Sequence, residues 1–196
     1  MPFSAEGDET QGVNASTDRP LVLAVHRSGS HTFSKPVAGS ITLVAGIGVD
    51  GDAHAGPLVK HRSRVAKNPN QPNLRQVSLF TQEMLDLVAQ RGFSVASGEL
   101  GENVTTAGLD LFALPTGTVL RLGDDAMIVL TGLRNPCGQI NGLQDGLLRE
   151  LRTEEDGETG LRGGVMSMVV NGGVVRPGDP IAVGLPPGEP IPMQRV

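Results

Sequence analysis

The sequence predicts a mainly β protein, a closed β-barrel carrying a few short peripheral helices. Three observations lead there. Its apolar residues fall in short runs rich in Val, Ile and Leu, each bounded by turn residues. With Gly 27 and Pro 14 in 196 residues, turns are frequent, which favours many short strands over long helices. Only two segments have helical character, and both are short.

Taken in chain order, residues 1–19 are acidic and polar without apolar periodicity and read as a flexible arm. The expected domain spans 20–185 and opens with the strand LVLAVHR (21–27), bounded by Pro20 and the SGS that follows. ITLVAGIGVDGD (41–52) supplies one or two strands interrupted by Gly46 and Gly48. Residues 56–73 are polar, basic and broken by prolines, a long loop of the kind that is usually functional. RQVSLF (75–80) is a strand feeding the clearest helix, TQEMLDLVAQRG. There Thr81 can cap, Met84, Leu85 and Val88 share a face, and Arg91 then Gly92 close the last turn. A short strand starts at Glu102 and Asn103 within GELGENVTTAG. TVLRL and AMIVLTG form a hairpin around Gly123 to Asp125. DGLLRELR (145–152) is the second helix and EEDGETG an exposed turn. VMSMVVNGGVV and PIAVGL are the closing strands, joined by the tight turn RPGD. The Pro-rich tail 186–196 has no regular structure.

Composition bounds the function. Five Phe with no Trp or Tyr leave the core to Val, Leu, Ile, Ala and Met. A net charge of -5 argues against bulk attraction to nucleic acid or an anionic membrane. No apolar run approaches the roughly 20 residues that span a bilayer. The acidic N-terminus is unlike a signal peptide, and a lone cysteine forms no internal disulfide, so a cytoplasmic protein is expected.

Four features could carry chemistry. Cys137, the only cysteine, lies between Pro136 and Gly138. Pro136 fixes the backbone, Gly138 admits a close partner, and Arg134 nearby favours thiolate, the form that attacks electrophiles and binds soft metals. A half-buried loop cysteine without a role is the alternative. From Ala53 to Gln82 there is no Asp or Glu, while Lys60, Arg62, Arg64, Lys67 and Arg75 accompany His54 and His61. Such segregation in an acidic chain suits a phosphate-bearing small molecule. RNA fits less well because no aromatic is interleaved for stacking, and a solvated basic loop is the bland reading. Asp50, Asp52 and His54 alternate in VDGDAHAG and could ligate a metal on a regular strand. Their glycines favour a turn in which Asp bonds its own backbone and His54 contacts a cofactor. Finally, Glu102 and Asn103 can orient a heterocycle, or Glu102 can cap a turn.

The segments GVDGDAHAG (48–56), RQVSLF (75–80), GELGENVTTAGLDLFALPTGTVLRLGD (98–124), TGLRNPCGQI (131–140) and GGVV-RPGDPIAV (172–183) together resemble the MOSC domain. This module is named after the C-terminal part of molybdenum cofactor sulfurase, and the likeness is to its stand-alone bacterial type. The resemblance implies a barrel like that of the pyruvate kinase barrel domain, with a pocket for the molybdenum cofactor, a pterin dithiolene carrying a phosphate. The family cysteine falls on Cys137. In amidoxime-reducing members such a cysteine binds molybdenum while N-hydroxylated compounds are reduced; other members are thought to carry sulfane sulfur on it.

By the same resemblance, His54, Lys60, His61, Arg62 and Arg64 supply phosphate contacts, and Arg75, Glu102, Asn103, Arg134 and Asn135 line the pterin pocket. Phe80, Phe93 and Phe112 are the candidates for aromatic walls. Pyridoxal phosphate is also associated with the family, but no lysine here sits in a context favouring a Schiff base, and this cofactor is not expected. The leading expectation is a molybdenum-dependent oxidoreductase acting on N-hydroxylated small molecules, with electrons from separate electron-transfer proteins. A sulfur carrier using a Cys137 persulfide and a non-catalytic cofactor carrier are the alternatives. The oligomeric state is open, a homodimer included.

Overall fold

The computed structural model describes residues 19–155 and 158–196, without the side chains of residues 62, 63, 153–155, 158 and 159. All but the last residue of the expected N-terminal arm, and the centre of the expected turn at 154–160, lie outside the described residues.

The strands are β1 (Leu21–His26), β2 (Val37–Ala38), β3 (Ile41–Val44), β4 (Gly48–Val49), β5 (Val77–Thr81), β6 (Val104–Ala107), β7 (Val119–Leu122), β8 (Ala126–Leu133), β9 (Arg152–Glu155), β10 (Glu158–Leu161), β11 (Val165–Asn171), β12 (Gly173–Val175) and β13 (Ile181–Gly184). The α-helices are α1 (Arg62–Val65), α2 (Gln82–Gln90) and α3 (Leu147–Glu150), with short 3-10 helices at Leu111–Ala113 and Gly138–Gly142. Mainly β architecture is therefore what the chain adopts.

An eight-stranded sheet runs β13-β7-β8-β11-β5-β6-β1-β2, and smaller sheets are formed by β12-β3-β4 and β10-β9. The large sheet does not close through a continuous ladder. Its approach to β13 meets β1 at an isolated Leu21–Pro180 bridge, where the Val22 amide donates to Asp179 O at 2.9 Å and Ile181 to Pro20 O at 2.9 Å.

Local chemistry explains the elements. The β7–β8 hairpin turns at Gly123, whose φ of 66° suits glycine. β8 alternates buried and half-buried residues along its whole length, as a strand with one face on the core must. β5 is buried throughout because β11 flanks it antiparallel and β6 parallel. A parallel pair needs a crossover, and α2 provides it. Thr81 Oγ1 accepts from the Met84 amide at 3.1 Å to start that helix. Gly92, at φ 90°, ends it.

Three expectations are corrected. VMSMVVNGGVV is not one strand: β11 stays in the large sheet while β12 joins the small one. Gly172 and Gly173 permit the switch, since added Cβ atoms would meet Leu43 O at 2.9 Å and Ala126 N at 2.7 Å. Residues 152–155 and 158–161 pair as β9 and β10, so strands reach into the expected exposed turn, and the preceding helix is only one turn long. The 56–73 loop includes α1 and is pinned by Asn73 Nδ2, which donates to His54 O and Gly56 O at 3.0 and 2.9 Å.

The core is aliphatic, as composition requires. Val25, Leu43, Leu79, Leu120, Ile128 and Val169 belong to one cluster inside the sheets. A second cluster joins Phe80, Leu85, Val88, Ile140, Leu147 and Leu151 beneath α2 and α3. Among the described residues no helix is long and apolar enough to cross a membrane.

Candidate functional site

Sheet register brings distant segments to one level. Leu79 faces Val104 on one side and Val165 on the other; Val104 faces Val25, and Val165 faces Leu133. The loops leaving this level surround a cleft of about 360 Å³. Its walls come from the 27–36 loop (His31, Phe33, Lys35), the 50–61 segment (His54, His61) and the β5 approach (Arg75, Ser78). Gly101 and Asn103 precede β6, Met166 lies on β11, and Arg134, Cys137 and Gln139 follow β8.

Asp52 organises the floor. Its carboxylate accepts from Lys35 Nζ at 2.7 Å, with both side chains almost fully buried. It also accepts from the His54 amide at 2.9 Å, from Asn103 Nδ2 at 3.0 Å and from the Ser28 amide at 3.4 Å. Burial alone would raise its pKa; the His54 bond and the Lys35 charge outweigh it and hold Asp52 well below the usual carboxylate range. An ionised carboxylate is acceptor-only, so His54 Nδ1, 3.2 Å from Asp52 Oδ1, carries the proton. Asn103, itself buried, ties strands to floor: Oδ1 accepts from the Ser78 amide at 3.2 Å and Nδ2 donates to His26 O at 3.1 Å. This is the turn expected of VDGDAHAG. Asp50 is exposed, and among the described residues no group of three or more His, Cys, Asp or Glu is arranged to hold a metal.

The cleft is electropositive. Burial pushes the Lys35 ammonium down while Asp52 opposes the shift. Burial, then the charges of Arg64, Arg134 and Arg195, lowers Arg75 to about 10, so it stays charged at neutral pH. Arg134 is lowered by burial, with Glu102 and Cys137 opposing, and its Nη1 donates to Leu100 O. His61 is held down to about 4, first by desolvation and then by Arg75, His54 and Arg134. Its ring packs 5.2 Å from that of His54, which lies 5.0 Å from His31. Arg75 Nε and Ser78 Oγ are buried without a partner among the described residues.

Cys137 is half-exposed on the cleft wall, its Sγ 3.6 Å from Gln139 Oε1. An added Cβ at Gly138 would meet nothing within 4 Å, so the space beside this residue, next to Cys137 in the chain, is open.

Six of the expected site residues line the cleft: His54, His61, Arg75, Asn103, Arg134 and Cys137. Lys60 and Arg64 do not line it, nor does Asn135, and the Arg62 side chain lies outside the described residues. Glu102 is fully buried behind the wall, where Oε1 accepts from the Gly98 amide and from Thr105 Oγ1 at 3.1 Å, closing the 98–102 turn. The expected aromatic walls are corrected too: Phe80 and Phe93 pack in the second cluster, Phe112 against both clusters, and Phe33 is the phenylalanine at the cleft. Lys35, His31 and Phe33 escape the sequence reading. A signal existed: from Leu21 to Val49 there is likewise no Asp or Glu.

A family model described as the MOSC domain matches residues 50–182. The chain belongs to the MOSC domain family. The matched region holds Asp52, His54, Arg75, Asn103, Arg134 and Cys137, while the loop supplying Lys35 precedes it. Among solved structures, the YuaD protein of Bacillus subtilis is 23% identical with a TM-score of 0.69, over 84% of this chain and 94% of that one. YiiM from Escherichia coli is 21% identical with a TM-score of 0.57, covering 87% of this chain and 72% of its own. YiiM from Geobacillus stearothermophilus is 16% identical, TM-score 0.59, over 84% and 75% of the two chains. At these identities the likeness is one of fold. The comparison with curated proteins gave no match.

Proposed function

We propose that the cleft holds a molybdenum cofactor and that the protein reduces N-hydroxylated small molecules, with Cys137 as the metal's protein ligand. One observation carries this reading: an open, half-buried thiol shares a cleft with Lys35, Arg75 and Arg134 in a chain whose net charge is -5. The residues fit the group. Arg75 Nε and Ser78 Oγ are buried donors without a partner among the described residues, as a site for an anionic, acceptor-rich ligand requires. Arg75 and Arg134 would hold the phosphate and Ser78 an acceptor on the pterin, while Phe33 and Met166 supply the apolar wall.

When bound, the cofactor would supply two-electron redox chemistry. The chain's own residues bind and orient. Cys137 would ligate the metal through sulfur, Gly138 would leave room for substrate, and the cations would balance the ligand's charge. Lys35, the one lysine lining the cleft among the described residues, is engaged by Asp52 and so is not a free amine for an aldehyde cofactor. Electrons come from a separate electron-transfer protein, and a chain with one free thiol suits the cytoplasm. The Leu21–Pro180 bridge favours reading the large sheet as the family's barrel.

The test is turnover of an amidoxime by protein loaded with cofactor, with reduced viologen as electron donor. The amidine product is expected from wild type and not from Cys137→Ser. Loaded wild type that makes no product defeats the reductase reading, and sulfane sulfur on Cys137 would then favour the sulfur carrier.

A further inference from the structure

We propose that His54 is the proton donor for N–O cleavage and that Asp52 is its positioning residue. The inference rests on the reductase reading above.

Reducing a hydroxylamine-type nitrogen consumes protons as well as electrons: R–NH–OH, two electrons and two protons give R–NH2 and water. The N–O bond breaks, the oxygen leaves as water, and the electrons come from the separate electron-transfer protein. Hydroxide is a poor leaving group, so a group that protonates the departing oxygen has direct leverage on the rate.

The cleft offers few such groups. Lys35 is committed to Asp52 at 2.7 Å, and the guanidinium groups of Arg75 and Arg134 do not release protons at neutral pH. His61 is neutral there, and His31 Nε2 is bonded at 3.1 Å to the carbonyl of Lys60, which carries no charge to steady an imidazolium. His54 differs. Its Nδ1 is anchored to Asp52 at 3.2 Å, its main-chain N–H donates to the Asp52 carboxylate, its carbonyl accepts from Asn73, and Nε2 has no partner among the described residues. The groups facing its ring are Asp52, His31 and His61, and Arg75 also lines the cleft.

A buried carboxylate holding one imidazole nitrogen while the other faces a cleft fixes the tautomer and steadies the imidazolium. The imidazolium gives its Nε2 proton to the leaving oxygen. Nδ1–H stays on Asp52, the neutral ring takes a proton from solvent through the open cleft, and the second proton reaches nitrogen from water. Asp52 is itself held by Lys35 and Asn103, so the ring's orientation is fixed by groups that never touch substrate.

Two measurements test this. Long-range nitrogen–proton NMR of histidine in the protein without cofactor should show His54 protonated at Nδ1, and Asp52→Asn should shift it toward the other tautomer. A wild-type His54 protonated at Nε2 alone would overturn the proposal. For protein loaded with cofactor, His54→Gln should keep the molybdenum content of wild type and lower kcat about 100-fold with little change in KM. Imidazole added to His54→Ala should restore part of the rate. Wild-type kcat in His54→Gln, or loss of its molybdenum, would overturn the assignment. Loaded wild type that reduces nothing defeats the functional reading itself, and the NMR result then decides the His54–Asp52 pairing alone.

Discussion

Replacing Lys35 with methionine removes one charge from an almost completely buried ion pair while keeping most of the side chain's volume. The Lys35–Asp52 contact is 2.7 Å, with side-chain exposures of 5% and 2%. Breaking such a pair costs about 3–5 kcal/mol, because the remaining ion is left in a poorly solvated site. Asp52 keeps its bonds from His54, Asn103 and Ser28, which places the expected loss at the lower end, about 3 kcal/mol. For a domain of this size that is a Tm fall of about 6–12 °C. The acid side carries a further signature. Asp52 has a depressed folded-state pKa, so its stabilisation is present above the ordinary aspartate value of about 4 and is lost as pH falls through the folded value. The gap between wild type and Lys35→Met should therefore be full at neutral pH and narrow progressively below about pH 4. Thermal and urea unfolding across that range measure it, and Asp52→Asn completes a double-mutant cycle. A Tm within about 1 °C of wild type, or strict additivity in the cycle, would refute the argument.

Other consequences follow from the same geometry. Gly101 has a φ of 81°, and a Cβ there would run into Phe33 O, so Gly101→Ala should cost about 1–3 kcal/mol in chemical unfolding. Cys137→Ser should leave Tm within about 1 °C, because the thiol is half-exposed, and native Cys137 should alkylate with iodoacetamide without denaturant. Removing residues 193–196 should destabilise the fold by about 2 kcal/mol, because Met193 is buried in the main core and Gln194 O and Val196 N bond Leu133. It should also alter Arg75, whose Nη1 donates to Val196 O at 2.6 Å; anion binding by calorimetry would detect this.

The parts of the fold legible in the sequence are those specified locally. The α2 segment has its cap at Thr81, its apolar face and Gly92, and the β7–β8 hairpin has alternation on both sides of a glycine turn. What was hidden depends on contacts distant in sequence. The strand switch at Gly172 and Gly173 reflects close approach of Leu43 and Ala126, which no periodicity encodes. The β9–β10 pair is too polar to look like strands, and docking of the tail after Met193 rests largely on backbone bonds. At the site, Cys137, Arg134, Arg75, His54, His61 and Asn103 were legible through motif and charge segregation. Lys35 was not, because its role comes from Asp52 across the fold, and its own acid-free surroundings only become meaningful beside the second such stretch.

The central claim is that Cys137 anchors molybdenum in the cationic cleft. It is tested most directly by measuring molybdenum and pterin in wild type and Cys137→Ser purified from a host that makes the cofactor. Wild type should hold molybdenum near one per chain, and the serine variant should lose the metal while keeping its fold. A wild-type protein without molybdenum, or a serine variant that retains it fully, would contradict the account.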